Sequence, residues 1–253
     1  MDLIWLGTAS VELVCEQGKL LFDPFVPLKG SSVRVGIEEY DDFSHIFLTH
    51  CHLDHVVDLP RIAKRNPGVV IHCTKTPYEA LRRRGVPENN LSLLRYGDEE
   101  EVNGFSVRVF HGKHAVLPKV DAKRVASWLK SPARGNMPRI IRDFFAWREN
   151  DETVGYQIEA EGKSVFLMGS MNLRDEITYP TGADVLVLPY NGWEENLAPA
   201  VRFIERLRPK RVLLDHYDDT FPPLSTPAVD VSPVVERFPG LVEALIFKKI
   251  ERL

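Results

Sequence analysis

His50, His52, Asp54 and His55 fall within six residues, directly after an apolar run. Imidazole nitrogens and carboxylates are the donors that hold zinc and other first-row metal ions. In an extended segment side chains two apart share a face, so His50, His52 and Asp54 are expected to point together and His55 elsewhere. That division suits two neighbouring metal positions rather than one. Six residues supply only part of such a site, so distant segments must complete it. Cys51 lies between two of these histidines, but its intervening position turns it to the other face, where it is expected to pack.

The completing groups are sought where the chain repeats the same arrangement. Residues 45–49 read as a short strand and 56–65 as a helix ended by Asn66-Pro67-Gly68, which places the cluster at a strand-to-helix junction. A strand at 105–110 delivers His111 and His114, and one at 212–214 ends in Asp215-His216. Strand ends on one edge of a sheet converge even when they are far apart in sequence, so a metal site can form there. His45 and His72 lie before or inside strands and are read as structural. The remaining pattern gives strands at 3–6, 11–15, 19–22, 69–73, 153–159, 164–168, 184–188 and 244–247, with helices at 77–84, 197–207 and 227–237. The chain thus opens as an antiparallel sheet and continues as alternating strands and helices.

Residues 115–150 break this pattern, being longer than ordinary connections and helical at 122–130 and 138–147. From Lys113 to Glu149 there are nine Lys or Arg against three Asp or Glu, interleaved with Trp128, Phe144, Phe145 and Trp147. Two readings stand side by side: a solvated helical insert packing its aromatics on the body, and a lid over a substrate. On the second reading Lys113, Lys119, Lys123, Arg124, Arg134 and Arg139 are candidates for the phosphate or carboxylate of a small anionic substrate. Trp193, in a loop after a strand, is a candidate for lining the same pocket.

The chain has 253 residues, 44% hydrophobic and 27% charged, which fits one soluble globular domain over 1–253. No apolar run reaches the length of a membrane span, and the start of the chain lacks the basic and apolar regions of a signal peptide. Three widely spaced cysteines argue against a disulfide framework, and a cytoplasmic location is expected. A net charge of -4 gives no global case for nucleic-acid binding. A homo-oligomer is compatible with this composition.

The spacing of His50, His52, Asp54 and His55 matches HxHxDH, the signature of the metallo-β-lactamase superfamily, which this chain resembles over nearly its whole length. Trp5-Leu6-Gly7-Thr8-Ala9-Ser10 and Leu21-Phe22-Asp23-Pro24-Phe25 look like the opening strands and aspartate motif of the branch with ascorbate-phosphate lactonases and N-acyl-phosphatidylethanolamine phospholipase D. The segment at 115–150 matches worst. The resemblance implies an α/β fold, an αββα sandwich of two packed mixed β-sheets flanked by helices. It makes His50, His52 and His114 ligands of a first metal, with His111 as the rival to His114. Asp54, His55 and His216 become ligands of a second, and Asp23 a group that orients a ligand imidazole. One or two zinc ions are implied, with manganese, iron or nickel also accepted by such ligands. The activity implied is metal-dependent hydrolysis of a small anionic ester, lactone or phosphodiester by a metal-bound hydroxide, with Asp54 orienting or deprotonating the water. Ser170 departs from the pattern, standing where the family carries a bridging aspartate. That departure motivates the alternative of a degenerate metal-binding or ligand-sensing protein, and the basic insert motivates a nuclease.

Overall fold

Strands that are apolar on both faces have to be covered on both faces, and two sheets with two helical layers do this here. The computed structural model describes the chain except residues 117–119 and 192–195. The first sheet holds β1 (Asp2–Trp5), β2 (Val11–Cys15), β3 (Gly18–Phe22), β4 (His45–Phe47), β5 (Val70–Cys73) and β6 (Leu91–Leu93). The second holds β7 (Glu99–Val102), β8 (Phe105–His111), β9 (Val154–Ala160), β10 (Lys163–Met168), β11 (Val185–Pro189), β12 (Val212–Asp215) and β13 (Val242–Ala244). The last strand, β14 (Ile250–Arg252), returns to pair with β1, giving the orders 14-1-2-3-4-5-6 and 13-12-11-10-9-8-7. Each sheet changes from antiparallel to parallel pairing at one strand, β3 in the first and β10 in the second.

The inner faces meet in a core that includes Phe22, Phe47, Tyr156, Leu167 and Val187. The alternate residues point outward to helices. Ile46 and Ile71 share a cluster with α1 (Leu53–Val56), α2 (Leu59–Arg65) and α3 (Lys75–Arg83). After α4 (Ala122–Lys130) and α5 (Met137–Ala146), Leu186, Leu188 and Leu214 are covered by α6 (Leu197–Leu207) and α7 (Ser232–Arg237). The result is the expected αββα sandwich. No helix among the described residues is long and apolar enough to cross a membrane.

Several expectations need correction. The helix read at 56–65 is two pieces, because α1 begins already at Leu53 and the chain bends before α2. The strand expected at 244–247 lies at Val242–Ala244, with a further strand, β14, after it, and the helix before it covers only Ser232–Arg237. Strands β6, β7 and β14 escape pattern reading because each is a short edge strand, and β7 carries three consecutive glutamates. Charge on an edge discourages pairing with another chain, so such strands need not look apolar.

His72, read as structural, stacks on Phe47 with ring centroids 4.2 Å apart and shares a hydrogen between its Nε2 and Nδ1 of His45 at 2.9 Å. Burial, and then His45, push its pKa down from 6.5 to about 4. The unfolded chain therefore takes up a proton near pH 6.5 that the folded chain refuses, and stability present above that pH is lost as pH falls toward 4. Urea unfolding of wild type and His72→Phe at pH 7 and pH 5 should show wild type losing up to about 2 kcal/mol more than the variant between the two. Equal losses would remove His72 from the acid response.

Candidate metal centre

The end of β4 supplies His50 and His52, the single turn of α1 supplies Asp54 and His55, the segment after β8 supplies His114, and the end of β12 supplies His216. They form two sets, His50 with His52 and His114, and Asp54 with His55 and His216. Within each set the donor atoms lie within 4.8 Å of one another. The sets adjoin, with the rings of His50 and His55 4.0 Å apart. Two neighbouring positions are thus present, but Asp54 belongs with His55. The extended-chain argument that grouped it with His50 and His52 fails because the helix begins at Leu53. His111 joins neither set; its ring stacks 3.8 Å from Tyr96 and its Nε2 meets the Asp151 carbonyl.

Asp23, at the end of β3, connects the two sets from below. Fully buried, its carboxylate accepts from the Thr49 amide at 2.8 Å, from the Thr49 hydroxyl, and from Nδ1 of His55 at 2.8 Å. With its proton given to Asp23, the Thr49 hydroxyl accepts from Nδ1 of His50 at 2.9 Å. Nδ1 of His114 donates to the Ala115 carbonyl at 2.7 Å. In all three rings the hydrogen sits on Nδ1 and leaves Nε2 as a lone pair. Fixing the tautomer in this way is what a metal-binding imidazole requires. Asp23 itself adopts a left-handed backbone, φ 43°, and its own carbonyl is pinned by the Ser10 hydroxyl at 2.7 Å.

The segment bearing His114 is held by the loop after β10. Ser170, only 2% exposed, accepts from the Ala115 amide at 3.0 Å, and Asn172 donates to the His114 carbonyl. Arg174 donates to the Gly112 carbonyl and the Tyr179 hydroxyl to that of His111, both at 2.7 Å. Asp175, close enough in sequence to stand in for a bridging carboxylate, is at the surface beside Arg202 and Arg206.

The two sets differ in charge. Burial, and then the neighbouring imidazoles, push His50 far down and His52 to about 4, and burial lowers His114 despite the Ala115 carbonyl. The first set is therefore three neutral imidazoles at neutral pH. Burial alone would raise Asp54, but His55 and His216 outweigh it and hold the carboxyl well below its ordinary range. Burial alone would lower His216, but its hydrogen bond to Asp54 at 3.2 Å outweighs that and pushes it up to about 9. A cation entering the second set would displace that proton.

Both sets open on a cavity of about 140 Å³, also lined by Leu53, Phe144, Gly169, Ser170, Phe221 and Leu224. Of the cations proposed for substrate, Lys113, Lys123, Arg124, Arg134 and Arg139 do not line it. Lys123 borders a separate groove with Trp128, and Arg139 pairs with Asp143 at 3.5 Å. Lys119 and Trp193 lie outside the described residues. Two residues that sequence reading passes over prove central. Thr49 carries a hydroxyl next to the first histidine, which is the only signal it offers. At Gly169 an added Cβ would lie 2.3 Å from Cβ of Thr49, so glycine is what lets β10 approach the site.

Compared with known proteins, residues 19–217 match the family described as the Beta-lactamase superfamily domain. The chain is 26% identical over 257 residues to a UPF0173 metal-dependent hydrolase of Methanopyrus kandleri, covering 98% of this chain and 97% of that one. It is 27% identical over 263 residues to a UPF0173 metal-dependent hydrolase of Archaeoglobus fulgidus, covering 98% and 96%. Among solved structures it superposes on the metallo-beta-lactamase fold protein YhfI from Bacillus subtilis with a TM-score of 0.65 at 13% identity, over 99% of this chain and 98% of that one. That last likeness is one of fold.

Asp23→Ala would leave the Thr49 amide and Nδ1 of His55 as buried donors without their acceptor. At 1–3 kcal/mol for each such group, the variant should be less stable by about 2–4 kcal/mol in urea unfolding. A loss under about 0.5 kcal/mol would show that the carboxylate does not hold this end of the sheet.

Proposed function

This chain belongs to the beta-lactamase superfamily, with that superfamily's αββα sandwich, and from that premise we propose that it is a metal-dependent hydrolase of a small ester, lactone or phosphodiester. The observation that supports this most is the pair of adjoining donor sets in one cavity, with the tautomers of three imidazoles already fixed. Three neutral imidazoles suit zinc, and two imidazoles with a carboxylate suit zinc, manganese, iron or nickel. The donor chemistry therefore fits one divalent ion per set. When bound, such ions supply Lewis acidity and a water acidified to near neutral pH.

The protein's own contribution is orientation. Asp54, ionised throughout the neutral range, accepts a hydrogen bond from the attacking water and aims it at the scissile carbon or phosphorus. Asp23 touches no substrate; it holds His55 directly and His50 through Thr49. Negative charge on the scissile group would face the donor sets, since the described basic residues of the insert do not border the cavity. Metal analysis of protein purified without chelator, with a screen of phosphodiesters, phosphomonoesters, lactones and thioesters, tests the reading. Metal-dependent turnover should appear and fall at least about a hundredfold in His50→Ala. Protein that cannot be loaded with a transition metal, or turnover indifferent to His50, would overturn it.

Ser170 leaves Asp54 as the one carboxylate in the two sets. A neutral hydroxyl neither bridges two cations nor offsets their charge, so the second ion should be the weaker. Ser170→Asp should retain that second equivalent roughly tenfold or more tightly in chelator competition, given the attraction between a carboxylate and an adjacent cation. Unchanged stoichiometry and affinity would count against this account of the substitution.

A further inference from the structure

Helix α5 is fixed beside the cavity at both ends and along one face. Asn136, preceding it, donates to the carbonyls of Lys29 and Pro222, each at 2.9 Å. Ile140 and Trp147 are buried in the same cluster as Leu53 and Phe221. The guanidinium of Arg84 lies 3.8 Å over the Trp147 ring and donates to the Ala146 carbonyl. The helix packs against α1, which carries Asp54 and His55. It is a wall rather than a solvated appendage, whereas α4 buries no residue at all.

Phe144 is the residue this wall turns toward the donor sets. The residue is 49% exposed and lines the cavity with Leu53, Phe221 and Leu224. Among the described lining residues, the polar groups outside the donor sets are uncharged: Ser170, Asn191 and Ser225. A mostly apolar cleft with a few orienting polar groups is the usual composition of a small-molecule site. What the described lining offers for recognition beyond the donor sets is therefore burial of apolar surface. We propose that Phe144, with Leu53, Phe221 and Leu224, is the specificity surface of this enzyme, and that its substrate carries an uncharged alkyl or aryl group next to the cleaved bond, packed on the Phe144 ring. This rests on the hydrolase reading above.

The test uses binding rather than turnover. Straight-chain alkyl hydroxamates, from acetohydroxamate upward, are titrated calorimetrically into the zinc-loaded protein; the head group takes the metal and the chain reports on the wall. Affinity should rise about fourfold per added methylene in wild type, the equivalent of about 0.8 kcal/mol per buried CH₂. In Phe144→Ala the rise should fall below about twofold, with Phe144→Leu between. Phe145 is 62% exposed and absent from the cavity lining, so Phe145→Ala should follow wild type. A flat series in wild type, or an unchanged slope in Phe144→Ala, overturns the assignment while binding of acetohydroxamate keeps the hydrolase reading in place. If acetohydroxamate does not bind and no substrate is cleaved, the hydrolase reading falls and this assignment with it.

Discussion

One buried carboxylate sets the geometry on which the rest of the site depends. Asp23 accepts from the backbone and side chain of Thr49 and from His55, so a single group fixes the exit of β4, the tautomer of His55 and, through a hydroxyl, that of His50. A buried charge is tolerable only when its lone pairs are satisfied, and three donors satisfy this one. The arrangement requires β3 and β4 to be neighbours, which their parallel pairing provides. It also requires Thr49 to be reachable from the second sheet, and the Val154 amide donates to the Thr49 carbonyl at 2.9 Å. The sandwich and the donor sets are thus held by the same few atoms.

The second sheet repeats the device with a different group. Asp23 follows β3 and Ser170 follows β10, and these are the two strands at which pairing changes from antiparallel to parallel. Both residues sit outside the carboxyl ends of their strands, which is where ligands bind in α/β sheets. In the first sheet the residue is a carboxylate that organises imidazoles. In the second it is a hydroxyl that accepts from the Ala115 amide and so positions the segment bearing His114. Ser170 is therefore occupied in supporting one donor set while adding no charge to the other.

How much of this can be read from sequence follows from how local each cause is. The six histidines at strand ends are legible because an apolar run followed by histidine is a pattern of adjacent residues. The division of the cluster is not, because the start of α1 at Leu53 decides it and extended periodicity carries no sign of that start. Thr49 and Gly169 are silent because each acts by a contact made after the sheets pack, and their importance lies in the 2.3 Å that an added Cβ would leave between them. The short edge strands β6, β7 and β14 are missed because their neighbours, and not their own residues, make them strands.

The basic insert is the opposite case, a strong compositional signal with no bearing on direction. Counting charge between Lys113 and Glu149 predicts an anion site, yet charge is a property of side chains that reach outward, and long basic side chains on helices are usually solvated. What aims a helix at a cavity is its buried face. In α5 that face is Ile140 and Asp143, continued by Trp147 just past the helix end, and docking it on the body places Phe144 at the cavity while Arg139 and Arg142 are left beside Asp143. Among its described residues, the insert therefore presents an apolar ring to the cavity where composition suggests charge. Among the described residues, electrostatic attraction at this cavity falls to the donor sets themselves.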